Sequence, residues 1–190
     1  MNRQMSFLKP QAAGPEGLEY RPDFLAPEEE EALAQCLASL PFKEFEFQGF
    51  LGKRRTVSFG WHYAFDGSGL HEAAPMPDFL FPVREKAAQF AGIEVEALQH
   101  ALIIEYAPGA GIGWHRDRPV FGDVIGISLL APARMRFRRK AGEKWERHEL
   151  IAEPRSAYLL RGPARTEWEH SIPPMEELRY SITFRTLRED

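Results

Sequence analysis

Arg179-Tyr180-Ser181-Ile182-Thr183-Phe184-Arg185, near the C-terminus, is the stretch that decides how this chain folds. Side chains alternate across a strand, so residues 179, 181, 183 and 185 share one face and Tyr180, Ile182 and Phe184 the other. One face carries two guanidinium groups and two hydroxyls, while the other is aromatic and aliphatic. A period of two marks a strand, since apolar positions on a helix would recur every three or four residues.

Similar short runs lead up to it. Residues 98–106, 124–130, 133–138, 146–151 and 156–160 read as strands between glycine, proline or charged turns, and the last run extends over 178–187. The first half has a different texture. After a short strand at 18–25, Pro27 followed by Glu28, Glu29, Glu30 and Glu31 predicts a helix start, with proline at the first position and carboxylates facing the positive end of the dipole. Leu33, Leu37 and Leu40 continue it as an apolar stripe. A second helix is predicted over 78–92, where Phe79, Val83, Ala87 and Phe90 share a face and Gly92 stops it. Helices first and a dense series of strands afterwards predict a mostly β fold with flanking helices, a sandwich or jelly roll rather than alternating βαβ units. Residues 1–17 read as a loose N-terminal tail and 18–190 as a single domain.

The bulk composition excludes several classes. With 44% hydrophobic and 27% charged residues the chain matches an ordinary globular domain. A net charge of −4 is not the footprint of a protein that coats nucleic acid, although a local basic groove is compatible with it. Cys36 is the only cysteine, so no intrachain disulfide forms, which predicts a reducing, cytoplasmic setting. No apolar run approaches the roughly 20 residues that span a bilayer, so no membrane partner is expected.

Chemistry concentrates at Trp114-His115-Arg116-Asp117 and at His170, 53 positions beyond Asp117. Two imidazoles and a carboxylate can hold one face of iron(II), leaving positions for a bidentate cosubstrate and dioxygen. One intervening residue lets His115 and Asp117 point to the same side of an extended segment. A His-x-Asp pair alone is weak, because six histidines and six aspartates in this length produce about 0.2 such pairs by chance. The arginines of the C-terminal strand strengthen it, since a planar guanidinium suits a carboxylate. The other histidines, His62, His71, His100 and His148, lack a partner at ligand spacing and read as surface or packing residues. Trp114 and Trp168 flank the ligands and are expected to wall the site.

Together, Ile104-Glu105-Tyr106-Ala107-Pro108-Gly109-Ala110, Gly113-Trp114-His115-Arg116-Asp117, Trp168-Glu169-His170-Ser171-Ile172 and the 179–185 run resemble the AlkB-type iron(II)/2-oxoglutarate dioxygenases. The resemblance covers residues 98 to the C-terminus closely. It implies a double-stranded β-helix, the jelly roll, and an enzyme using Fe(II), 2-oxoglutarate and O2. His115, Asp117 and His170 match the metal triad, and Arg179 the arginine that grips the distal carboxylate of 2-oxoglutarate, with Tyr106 beside it. Arg185 matches the second arginine, near the chelating end, and Ser181 stands where asparagine is usual. Ile104 and Pro119 replace an asparagine and an acidic residue of the repair members, which predicts poor activity on simply methylated adenine or cytosine.

The reaction expected is hydroxylation of a C–H bond, or oxidative demethylation when that bond belongs to an N-methyl group. Two segments point to modified DNA or RNA as substrate. A basic turn at Lys53, Arg54 and Arg55 precedes Phe59, Trp61, His62 and Tyr63, and basic residues interleaved with aromatics hold phosphates and stack bases. Residues 134–147 hold seven basic and two acidic side chains, with Arg134, Arg136 and Arg138 on one strand face. Arg55, Trp61, Tyr63, Arg134, Arg136 and Arg138 are therefore the candidate substrate residues, the alternatives being aromatic core packing beside a solvated basic turn for the first segment and a solvated sheet face for the second. A protein or small-molecule substrate is the alternative, and a non-catalytic jelly-roll binding module is the alternative of another class.

Overall fold

Strand β1 (Leu18–Arg21) and helix α1 (Pro27–Ala38) open the fold in the computed structural model, which describes residues 14–47 and 50–188. Strands β2 (Lys43–Phe47), β3 (Phe50–Phe59), β4 (Trp61–Ala64) and β5 (Gly69–Glu72) follow, then a 3-10 turn and helix α2 (Phe81–Ala91). The second half runs β6 (Leu98–Tyr106), β7 (Ile112–His115), β8 (Phe121–Leu129), β9 (Ala133–Ala141), β10 (Lys144–Ala152), β11 (Ser156–Leu160), α3 (Gly162–Thr166), β12 (Glu169–Ile172) and β13 (Arg179–Leu187). Residues 1–13 of the expected tail lie outside the described residues. Glu16 and Gly17 are tied to the body, their carbonyls accepting from the amides of Ala164 and Arg161.

The strands form a seven-stranded sheet in the order β1-β11-β8-β13-β6-β3-β2, a four-stranded sheet β10-β9-β12-β7, and a separate β4-β5 hairpin. Every pairing is antiparallel. This is the expected mostly β jelly roll with flanking helices. β13 lies in the middle of the large sheet, paired with β6 on one side and β8 on the other.

That central place decides what each face of β13 meets. Tyr180, Ile182 and Phe184 join Ile103, Ile125, Ile127, Leu33, Leu37 and Val83 in a core under α1 and α2. Fully burying an aliphatic or aromatic side chain of this kind contributes about 1.5–3 kcal/mol. The opposite face looks across the sandwich at the small sheet, where Met135, Phe137, Ala133 and Ile172 form a second core with Ile104, Val124, Tyr158 and Leu160. Arg179, Ser181, Thr183 and Arg185 stand on this interior face, all at least nine-tenths buried.

Local signals explain the helices. Pro27 occupies the first turn of α1, and the Glu29 side chain accepts a hydrogen bond from the Ala26 amide. Gly92 takes a left-handed φ of 65° and returns its amide to the Ala88 and Gln89 carbonyls, stopping α2 where the sequence predicts. One expectation is corrected here. Lys53, Arg54 and Arg55 are not in a turn but inside β3, where Arg55 pairs with Glu105 and Thr56 with Ile104 of β6. Arg54 and Arg55 therefore point to opposite faces of the sheet.

Candidate metal centre

His115 ends β7 and His170 lies on β12, and the two are direct cross-strand partners in the small sheet. That pairing brings their rings to 4.2 Å between centroids. Asp117 follows in the loop that carries the chain from the small sheet to β8. One possible ligand atom from each of His115, Asp117 and His170 can be chosen so that all three lie within 4.8 Å of one another. His115 Nδ1 is 2.8 Å from the Gly113 carbonyl, which makes that nitrogen the protonated one and leaves Nε2 with its lone pair facing the cluster.

The electrostatics suit a divalent cation. Burial lowers the His170 imidazole to about 3, with His115 pushing the same way. Burial also lowers His115. Burial works to raise the Asp117 carboxyl, but Arg185, then His170 and His115, hold it well below the ordinary range. Neutral imidazoles and an ionised carboxylate are the protonation states that metal ligation demands. Arg185 Nε donates to Asp117 Oδ2 at 3.1 Å, and both side chains are only 8% exposed.

Deeper in the sandwich stands Arg179, with no exposed surface. Its Nε donates to Ser128 Oγ at 2.9 Å, and its guanidinium lies 5.2 Å from the centre of the Tyr106 ring. Among the described residues Nη1 and Nη2 have no hydrogen-bond partner. A buried cation left half-satisfied costs several kcal/mol unless a counter-charge arrives, and a ligand carboxylate is the complement a guanidinium fork fits. Tyr106 is 2% exposed and Tyr158 6%, and burial pushes the Tyr158 hydroxyl up to about 12. Tyr158 packs so closely over Gly126 that a Cβ there would meet the ring. Ser181 sits between the arginines, its hydroxyl 3.5 Å from that of Thr183. Arg179, Ser181 and Arg185 thus share the interior face of β13, with Arg185 reaching Asp117 of the metal candidates.

Other predicted residues are placed differently. Arg55 turns to the helix-covered side of the large sheet and pairs with Glu105 at 2.7 Å. Arg134, Arg136 and Arg138 alternate with the buried Ala133, Met135 and Phe137, so they lie on the outer face of the small sheet, opposite His115 and His170. Arg134 pairs with Glu149, Arg138 with Glu169, and Arg136 donates to Ser171. Trp114, expected to wall the site, instead faces outward beneath Arg136 and Arg138, because one position along a strand reverses the face. Trp168 is buried in the inner core. Tyr63, on the β4-β5 hairpin with Trp61 two residues earlier, does reach the metal loop. Arg118, next to Asp117, lies 5.2 Å from the Tyr63 ring and 4.7 Å from Phe65.

Sequence reasoning missed His100, Ser128, Tyr158 and Arg165. His100 is 2% exposed, stacks on Phe121 and lies 3.4 Å from an Arg185 nitrogen. Its only sequence signal was its place on the inward phase of β6, in step with Tyr106.

The chain matches the 2OG-Fe(II) oxygenase superfamily over residues 17–185 and belongs to it. Within that superfamily it is of the AlkB type. It is 31% identical to the alpha-ketoglutarate-dependent dioxygenase alkB homolog 7, mitochondrial, of Mus musculus over 161 residues, 82% of this chain and 67% of that one. It is 29% identical over 181 residues to the alkylated DNA repair protein ALKBH8 homolog of Arabidopsis thaliana, covering 83% of this chain but only 51% of that protein. In fold it is similar to the solved structure of OsALKBH1, with a TM-score of 0.64, 16% identity, and coverage of 93% of this chain and 99% of that one. Among the described residues no helix is long and apolar enough to cross a membrane.

Proposed function

We propose that His115, Asp117 and His170 hold the ferrous ion and that Arg179 grips the distal carboxylate of 2-oxoglutarate. Tyr106 sits beside that end, and Arg185 orients Asp117 near the chelating end. The observation that carries this reading is Arg179, a fully buried guanidinium with two nitrogens unpartnered among the described residues, on the same face of β13 as the Arg185 that reaches Asp117 of the His-Asp-His cluster. The bound group supplies oxidative decarboxylation of 2-oxoglutarate to succinate and CO2, coupled to hydroxylation of a C–H bond. The chain's own task is to keep both imidazoles neutral, the carboxylate ionised and the pocket dry.

For the substrate we infer a modified nucleic acid presented as a single base. The Arabidopsis relative is named for alkylated DNA repair. Arg118 above Tyr63 and Phe65 offers a cation and two aromatic rings at the lip of the metal loop. A protein or small-molecule substrate is the second reading, favoured by the outward aim and ion pairing of the β9 arginines. The lone Cys36 supports a reducing, cytoplasmic compartment. Substrate-stimulated succinate release, measured over modified RNA, DNA and peptides, tests both readings. Stimulation by nucleic acid alone supports the first, and stimulation by peptides alone overturns it. Alanine at His115, Asp117 or His170 should reduce succinate release to background, and retained turnover in any of the three would remove that residue from the ligand set.

A further inference from the structure

Asp117 lies just past the β7-β12 ladder, in which His115, two residues before it, pairs with His170, so no strand pairing fixes Asp117 itself. β12 belongs to the small sheet, whereas residues 116–120 cross from β7 in the small sheet to β8 in the large one. What ties the rest of that crossover loop down is Arg165, in α3 and five positions before His170. It is 5% exposed, yet among the described residues no carboxylate forms an ion pair with it. Instead Nε donates to the Gly122 carbonyl at 3.0 Å, and Nη2 to the carbonyls of Phe121 at 2.7 Å and Arg118 at 2.5 Å. On the near side of the aspartate, Arg116 Nη1 reaches back to the Thr166 carbonyl at 3.1 Å. The loop is thus fastened to α3 on both sides of Asp117. A single backbone bond from the Arg188 amide to the Val120 carbonyl holds it from the other direction.

We propose that Arg165 is a positioning residue for the metal centre. It fixes the backbone of the crossover loop against α3, so that the Asp117 carboxylate meets His170 at ligand distance, without touching the metal itself. Arg185 sets the direction of the carboxylate, and Arg165 sets where its backbone stands. The role demands a guanidinium, because three carbonyls arranged in a fan need several donors held in one plane, which the compact ammonium of lysine does not offer. Residues that orient metal ligands from behind typically change metal affinity by about 10- to 100-fold when removed.

The inference rests on the triad reading, and the test separates the two. Mn(II), a redox-stable stand-in for iron, is titrated into metal-free protein and free Mn(II) is read by electron paramagnetic resonance, with unfolding midpoints measured alongside. Arg165→Met should weaken Mn(II) binding about 10- to 100-fold, and Arg165→Lys should fall between it and the natural protein. His170→Ala should abolish tight binding. A merely structural arginine would lower the unfolding midpoint and leave the Mn(II) affinity of the folded protein unchanged, and that result overturns the proposal. Should Arg165→Met fail to fold, Arg165→Lys carries the test by the same criterion. Equal Mn(II) binding in the natural protein and His170→Ala would instead refute the triad, and Arg165's role with it.

Discussion

Two strands of this protein carry arginines at alternate positions, and they could hardly be used more differently. On β13 Arg179 and Arg185 alternate with Tyr180, Ile182 and Phe184; on β9 Arg134, Arg136 and Arg138 alternate with Met135 and Phe137. In each the apolar set is buried. The difference is what covers the other set. β13 is central in the large sheet, with helices over one face and the small sheet over the other, so its arginines are enclosed at 0% and 7% exposure. β9 has a covered face and a solvent face, and its arginines go outward to Glu149, Glu169 and Ser171. A cation enclosed without full partners asks for a ligand, whereas one in water with a glutamate beside it asks for nothing.

The largest break in this comparison comes from Arg179. Arg179→Met should raise the KM for 2-oxoglutarate by the equivalent of about 2–5 kcal/mol, the cost of deleting one partner of a buried charged pair. Arg179→Lys should recover only part of it, because the charge returns without the fork. The affinity for Mn(II) alone should stay near that of the natural protein. Unchanged 2-oxoglutarate affinity in the methionine variant would show that another cation receives the cosubstrate.

Much of this is legible in the sequence. The β13 alternation, the spacing of His115 and Asp117, the turn signals and the Gly92 stop are local properties, and local properties survive into the fold. β11 and β6 appear with the bounds read from sequence, at Ser156–Leu160 and Leu98–Tyr106. Illegible was anything that depends on which sheet covers which. Alternation reports that two sets of side chains part company but not which set is enclosed, so Trp114 was expected on the wrong side, and the β9 arginines stayed open between a solvated face and an approach to the metal. β2 to β5 were missed as strands, because β3 and β5 are basic or glycine-containing and β2 and β4 are too short to show a period, and all four gain their order from neighbours. Arg165 gave no warning and His100 only its place on the inward phase of β6, since their partners are backbone carbonyls and an arginine distant in sequence.

A smaller effect should appear in acid. Burial, with Arg185 adding its charge, lowers His100 to about 2, whereas an unfolded histidine titrates near 6.5. Below about pH 6.5 the unfolded chain takes up a proton that the folded chain refuses, so stability falls as pH falls, down to about 2. Above 6.5 neither state binds it and the term vanishes. His115 and His170 act in the same direction. In metal-free protein His100→Gln should therefore flatten the dependence of unfolding free energy on pH by up to about 1.4 kcal/mol per pH unit between roughly 6 and 4. Parallel curves for the variant and the natural protein, from denaturant titrations at each pH, would mean that His100 is protonated in the folded state.

The smallest effect belongs to the β9 face. Arg134 and Glu149 are 55% and 50% exposed, so water and salt screen a contact whose geometry looks ideal. Arg134→Gln should change the unfolding free energy by less than about 1 kcal/mol, and the change should shrink further in high salt. Arg138 is less exposed and lies against both Trp114 and Trp145, so Arg138→Gln should cost somewhat more, through lost packing of its stem and its cation–π contacts. Catalysis gives the sharper contrast. Because this face looks away from His115 and His170, replacing Arg134, Arg136 and Arg138 together by glutamine should leave the KM values for 2-oxoglutarate and for the substrate within about twofold, a tenfold change being 1.4 kcal/mol. If the substrate is a polyanion that does rest on this face, the triple variant would bind it more weakly and with a shallower salt dependence, because three phosphate contacts would be gone. Measured as substrate KM at two ionic strengths, that outcome would restore the β9 arginines to substrate binding and erase the difference between the two strands.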